Sequence, residues 1–262
     1  MKILDQKRGV RMHVGRIVQF CGAAALCLVL AASVVAEAPV TEDSIDAAME
    51  LAARQQYDEA VALFERIKQE RPETIESINA HKIGVVYAVL GDRARHEAHC
   101  RWLMDRYRDA ELPSDAERSV KSYALFPSAD DPALLEHTLE RTRYAVKNAV
   151  EKGELEYLLW FHASQGMAEY RTGNYDAAIE QLDMAAPADN IYISSLALPY
   201  LAMTELARGN DERANALLEQ AREAATKLPD PESEEYLEEG WTDTLTTQFA
   251  LREAERVFAA SE

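Results

Sequence analysis

The chain has 262 residues and a formal net charge of −18, from 46 acidic and 28 basic side chains. An acidic surface repels nucleic-acid phosphates and anionic lipid headgroups, so both are disfavoured as partners. Gly and Pro are few, at 10 and 9 residues, and alternating β-branched residues are almost missing. This composition predicts an all-α fold.

The N-terminal segment has the pattern of an export signal. Arg8, Arg11 and Arg16 precede an apolar stretch at 17–36, and Ala36-Glu37-Ala38 then offers small residues at the spacing that signal peptidase accepts. The sequence therefore predicts a signal peptide over 1–38 and an exported protein in the periplasm or envelope of a bacterium, with secretion as a further possibility. The alternative is an uncleaved membrane anchor, because about 20 apolar residues can cross a bilayer.

Cleavage would change both the charge and the cysteine count. Without residues 1–36, 23 basic and 45 acidic side chains remain, a formal charge of −22. Such a body favours a partner with a basic or apolar surface, although acidity also serves solubility alone. Cys21 and Cys27 lie in the signal, so Cys100 would be the single remaining cysteine and no internal disulfide could form. Met12 is an alternative start.

Residues 39–230 contain five successive segments that each predict two helices and a tight turn. Apolar residues recur at helical spacing in both halves of each segment. Ala60 and His96 are 36 residues apart, as are Ala178 and Ala214. The third segment is the least regular and has a longer connection. The predicted pairs are 42–54 with 57–71, 75–90 with 92–108, two helices within 109–153, 154–172 with 175–186, and 193–208 with 211–227.

The tail, 231–262, is acidic and then amphipathic, with Leu237, Trp241, Leu245 and Phe249 recurring every four residues. A stack of helix pairs needs a terminal element with one polar face. The tail therefore predicts a C-terminal capping helix.

The chain resembles the tetratricopeptide repeat (TPR) family. Tyr57, Ala60, Phe64 and Pro72 match the second half of the repeat, and residues 83–91 match its first helix and turn. The chain also resembles TPR tails that follow bacterial serine/threonine kinase and WD40 modules, without kinase motifs. The resemblance implies a right-handed α-solenoid of about five units, and a non-catalytic scaffold that binds a protein or peptide partner without a cofactor.

The resemblance also implies that first helices line a partner groove. It places six side chains there, of types that include those enriched at interface cores. The predicted groove residues are His81, Trp160, Met167, Tyr170, Arg171 and Met203.

The alternative to an adaptor is a zinc-binding or hydrolytic module. His96, His99 and Cys100 share one face of a predicted helix, and His81 could supply a fourth ligand. Paired ligand spacings typical of structural zinc are missing, and Cys100 occupies a large apolar position of the repeat. The sequence therefore favours a non-enzyme without metal or cofactor, with the zinc-binding or hydrolytic module and a membrane-anchored accessory protein as the alternatives.

Overall fold

A computed structural model describes residues 44–127 and 131–261. This part of the chain forms eleven α-helices and no β-strand, so the predicted all-α class is confirmed. The signal peptide or anchor predicted over 1–38 lies outside the described residues. Within them, no helix combines the length and apolarity needed to cross a membrane.

The helices follow one another with short connections. A 3-10 turn (Pro72–Thr74) follows α2, and a π-helical turn (Tyr236–Gly240) leads directly into α11. The helices are α1 (Ile45–Ala53), α2 (Tyr57–Glu70), α3 (Ser77–Leu90), α4 (Arg93–Arg106), α5 (Pro113–Leu125), α6 (Pro132–Lys152), α7 (Leu158–Arg171), α8 (Tyr175–Ala185), α9 (Ile191–Ala207), α10 (Asp211–Ala225) and α11 (Trp241–Ser261).

The first ten helices form five pairs, because α1 packs on α2, α3 on α4, and so on to α9 and α10. The first helix of each pair also contacts the first helix of the next, which gives a continuous sequence of contacts from α1 through α3, α5 and α7 to α9. We call these five helices the first-helix row. The five predicted pairs are all present, and the third is the irregular one, with a 21-residue α6.

Four of the five pairs share one turn geometry. Gln55, Gly91, Gly173 and Gly209 all have positive φ, between 62° and 79°. In three of these turns, the backbone N–H of the following residue donates to the carbonyl five residues earlier at 2.9 Å, which satisfies the end of the first helix. The turns therefore repeat in backbone conformation as well as in position, and only the first uses a residue with a side chain.

Pairs four and five also repeat a polar contact. Asn174 Nδ2 donates to Glu169 Oε2 at 3.0 Å, and Asn210 Nδ2 donates to Glu205 Oε2 at 2.6 Å. Both glutamates are 1% exposed, and they stand 36 residues apart. The asparagine that opens each second helix is thus bonded to the end of the first helix.

Small residues set the closest helix approach. A Cβ added at Gly166 of α7 would lie 2.4 Å from Leu182 Cγ of α8. Gly166 therefore lets the two helices of the fourth pair touch, which is the packing role that the repeat pattern predicts for it.

The C-terminal helix does more than cover the last pair. It packs against α9 and α10, as a cap would, and it also contacts α3 and α5 near the other end of the row. Phe249 meets Phe126, with ring centroids 5.5 Å apart, and Trp241 is 1% exposed. One buried apolar cluster consequently extends from Ala48 in α1 to Phe258 in α11.

Candidate functional site

A cavity of about 180 Å³ opens where the N-terminal parts of α3, α5, α7 and α11 converge. We call it the His81 cavity. Its lining residues are Ile78, His81, Lys82, Ser114, Glu117, Arg118, Lys121, Tyr157, Trp160, Phe161, Thr242 and Asp243.

His81 comes from α3 and is 2% exposed. Neither of its ring nitrogens has a hydrogen-bond partner among the described residues. Burial lowers its pKa well below the ordinary value, and the nearby charges of Lys121, Arg118 and Lys82 lower it further. The imidazole is therefore neutral at pH 7, with one nitrogen able to donate and the other to accept.

Helix α5 supplies the charged wall of the cavity. Lys121 Nζ lies 3.2 Å from Glu117 Oε1, and both side chains are more than nine-tenths buried. Glu117 also accepts a hydrogen bond from Ser164 of α7. A buried ion pair is costly to form unless such hydrogen bonds complete it, so this wall is a preorganised polar surface.

Arg118 is half-buried beside that pair and forms no ion pair within the described part of the chain. Across the cavity, Asp243 comes from the first turn of α11. Burial raises the pKa of Asp243, while Lys121 and Lys82 act in the opposite direction. The Thr242 hydroxyl is buried without a hydrogen-bond partner. Polar groups from three helices therefore face one small space.

The remaining wall is aromatic and comes from α7 and the residue before it. Lys121 Nζ lies 4.7 Å from the centroid of the Trp160 ring. Phe161 is buried, and its ring centroid is 6.5 Å from that of Tyr157. Tyr157 is 44% exposed and marks the mouth of the cavity. The cavity thus has a charged wall and a flat aromatic wall.

Of the six predicted groove residues, two line the cavity and four make contacts within the protein. His81 and Trp160 line the cavity. Met167 and Met203 are 0% exposed, and the half-buried Tyr170 donates to Met203 Sδ at 3.7 Å. These last three side chains are internal packing, so a partner cannot reach the two methionines in this conformation.

Arg171, the sixth predicted residue, holds the C-terminal helix. Its Nη2 donates to Glu253 Oε2 of α11 at 2.6 Å and to Leu125 O of α5 at 2.9 Å. The same nitrogen bonds Tyr200 Oη of α9 at 3.0 Å. Arg171 therefore ties α5, α7, α9 and α11 together, and its side chain is only 10% exposed.

Apart from His81, the charged and polar residues of the cavity were not predicted. Glu117 and Lys121 have the i,i+4 spacing that normally indicates an exposed helix pair, so periodicity gave no sign of their burial. Arg118 lies between them in sequence. Thr242 and Asp243 reach the cavity because α11 returns to α3, which no local pattern indicates.

The alternative zinc cluster is arranged for packing. His96 Nε2 donates to Ser122 O at 3.1 Å, and His99 Nε2 donates to Ala80 O at 2.8 Å. Cys100 is fully buried in an apolar cluster with Met104 and neighbouring side chains. Across residues 44–127 and 131–261, no group of three or more His, Cys, Asp and Glu is placed to hold a metal ion.

Comparison with protein families, with curated proteins and with solved structures finds no match to this chain.

Proposed function

We propose that the chain is a TPR-type, non-catalytic adaptor, exported to the bacterial envelope, that holds a protein or peptide partner against its first-helix row. One observation carries the proposal: the His81 cavity lies on helices of that row, beside α11, and presents buried polar groups without partners. Native proteins rarely leave such groups unsatisfied.

The repeated geometry supports the TPR part of the proposal. Five helix pairs in sequence, a shared turn conformation in four of them and a 36-residue repeat of the Glu–Asn contact are typical of stacked helical repeats. The first-helix row is the surface that such repeats offer to a partner. The cavity lies on this row, and α11 packs on its members α3, α5 and α9.

The charge of the chain defines the partner. A formal charge of −18 favours a surface that is mainly basic or apolar. Exposed Tyr157 and half-buried Trp160 give that partner an aromatic anchor point at the mouth of the cavity. Aromatic residues of this kind dominate the binding energy of interfaces.

Site-specific photo-crosslinking tests the proposal. A photoreactive residue at Tyr157 is expected to capture a defined partner in an envelope fraction, whereas the same residue at Glu219 on α10 should not. Removal of the aromatic anchor by Trp160→Ala should abolish the Tyr157 crosslink, and Lys147→Ala on the exposed face of α6 should leave it intact. Identical capture from both sites, or capture that is unchanged by Trp160→Ala, would refute the proposal.

A further inference from the structure

We propose that the His81 cavity binds a carboxylate group that is attached to a flat apolar body. The inference rests on the proposed function, because it names the chemistry that the binding site recognises. The carboxylate can come from an acidic side chain next to an aromatic residue in the partner, or from a free small organic acid.

The charge of the cavity is opposite to that of the chain. Three basic side chains line it, and two acidic ones, so the formal excess is one positive charge in a chain of −18. The Glu117 carboxylate is already committed to Lys121 and Ser164. Arg118 has no acidic partner among residues 44–127 and 131–261, and its planar guanidinium matches a carboxylate with two parallel hydrogen bonds.

Neutral donors complete the carboxylate site. The buried His81 imidazole and Thr242 hydroxyl each have a hydrogen to donate and no acceptor within the described chain. A buried donor without an acceptor is unfavourable, because it has lost its hydrogen bonds to water and gained none in the protein. Carboxylate oxygens accept several hydrogen bonds at once, so one such group can satisfy both donors together with Arg118.

The two acidic side chains limit the charge of the ligand. Glu117 and Asp243 lie in the same walls as the basic groups and would repel a dianion such as phosphate. Trp160 and Phe161 offer a flat apolar surface beside the charged wall. A ring or short chain attached to the carboxylate can pack there. At about 180 Å³ the cavity has room for such a body, far above the space for one water molecule.

Calorimetric titration of the purified full chain tests the chemistry with matched probes. Benzoate represents a free acid, and the blocked dipeptide acetyl-Phe-Glu-amide represents a partner side chain. Their neutral amide counterparts, benzamide and acetyl-Phe-Gln-amide, are the controls, together with inorganic phosphate. At least one acid is expected to bind at least about tenfold more tightly than its amide and than phosphate.

Two variants link that preference to the cavity. Arg118→Gln should weaken binding of the acid about tenfold or more, and Lys147→Gln, on exposed α6, should leave it unchanged. Because Arg118 is half-buried, its replacement could affect folding. Thermal unfolding of the variant without a probe is the control for this. Preference for the dipeptide identifies a partner side chain as the source, and preference for benzoate identifies a free acid.

The inference is overturned if neither acid exceeds its amide tenfold, or if Arg118→Gln binds as the parent does. The proposed function has a separate test. A Trp160-dependent crosslink from Tyr157 without carboxylate preference would remove this inference and keep the adaptor. Carboxylate preference without any crosslinked partner would do the reverse.

Discussion

At the scale of single residues, Gln55 holds a backbone conformation that three other helix pairs give to glycine. Its φ is 62°, against 70°, 76° and 79° at Gly91, Gly173 and Gly209. A side chain in this left-handed region costs about 1–2 kcal/mol. Glycine avoids that cost, although it adds freedom to the unfolded chain.

Gln55→Gly is therefore expected to stabilise the protein by about 0.5–1 kcal/mol. Urea unfolding measures the change. The neighbouring variant Gln56→Gly is the control, because Gln56 has an ordinary negative φ of −84° and should gain nothing. Equal stabilisation by both variants, or a loss with Gln55→Gly, would contradict the role assigned to this turn.

His96 makes stability depend on pH. Burial lowers its pKa to about 4, although its bond to Ser122 O acts in the opposite direction. Between pH 6.5 and 4 the unfolded chain then binds more protons at this residue than the folded one, so stability falls as the pH falls. The loss attributable to His96 is about 3 kcal/mol by pH 4.

His96→Gln should remove this part of the pH dependence. Glutamine can still donate to Ser122 O but does not titrate. The free energies of unfolding of the parent and the variant are measured from pH 7.5 to 4. The stability advantage of the parent over the variant should shrink as the pH falls. A constant difference over this range would show that folding does not lower the pKa of His96.

At the scale of secondary structure elements, one buried ion pair joins α11 to α7. The side chains of Arg171 and Glu253 are 10% and 17% exposed, and the guanidinium also bonds backbone carbonyls at the end of α5. Removing one member of a buried pair leaves the other charge uncompensated, which costs about 3–5 kcal/mol.

Glu253→Gln should accordingly destabilise the protein by about 3 kcal/mol in urea unfolding. It should also increase proteolysis within α11, since that helix loses its strongest polar contact with α7. Glu219→Gln is the matched control, because Glu219 is 70% exposed in its pair with Arg222 and should cost less than about 1 kcal/mol. Similar losses in both variants would mean that the Arg171 pair contributes as little as a surface pair.

The elements themselves were largely predictable from the sequence. Helical periodicity and turn residues located the five pairs. The site was less predictable. His81 and Trp160 were singled out, but Arg171 was assigned to a partner and instead bonds Glu253, 82 residues away. A contact between residues so far apart in the sequence cannot be predicted from local periodicity.

At the scale of the whole described unit, α11 changes how the helix pairs respond to denaturation. In an open stack each repeat contacts only its neighbours, so parts of it can unfold separately. Here α11 contacts α3, α5 and α9, and one apolar cluster includes helices from both ends. Unfolding one end therefore removes contacts from the other.

We expect residues 44–261 to unfold in one cooperative step. Far-ultraviolet circular dichroism and the fluorescence of Trp102, Trp160 and Trp241, which lie in α4, α7 and α11, should give the same urea midpoint. Ending the chain before Trp241 should lower that midpoint and broaden the transition. Separate midpoints for the two probes in the full chain would contradict the coupling.

The return of α11 to α3 also limits the number of helix pairs. An open array can grow or shrink by whole units during evolution, because a new unit meets the same neighbour surface as the old one. In this chain an inserted pair would move α9 away from α3, and the 21 residues of α11 could no longer contact both. Duplication of a helix pair is therefore expected to be tolerated only with a longer last helix. The length of α11 thus limits how many helix pairs can lie between α3 and the end of the row.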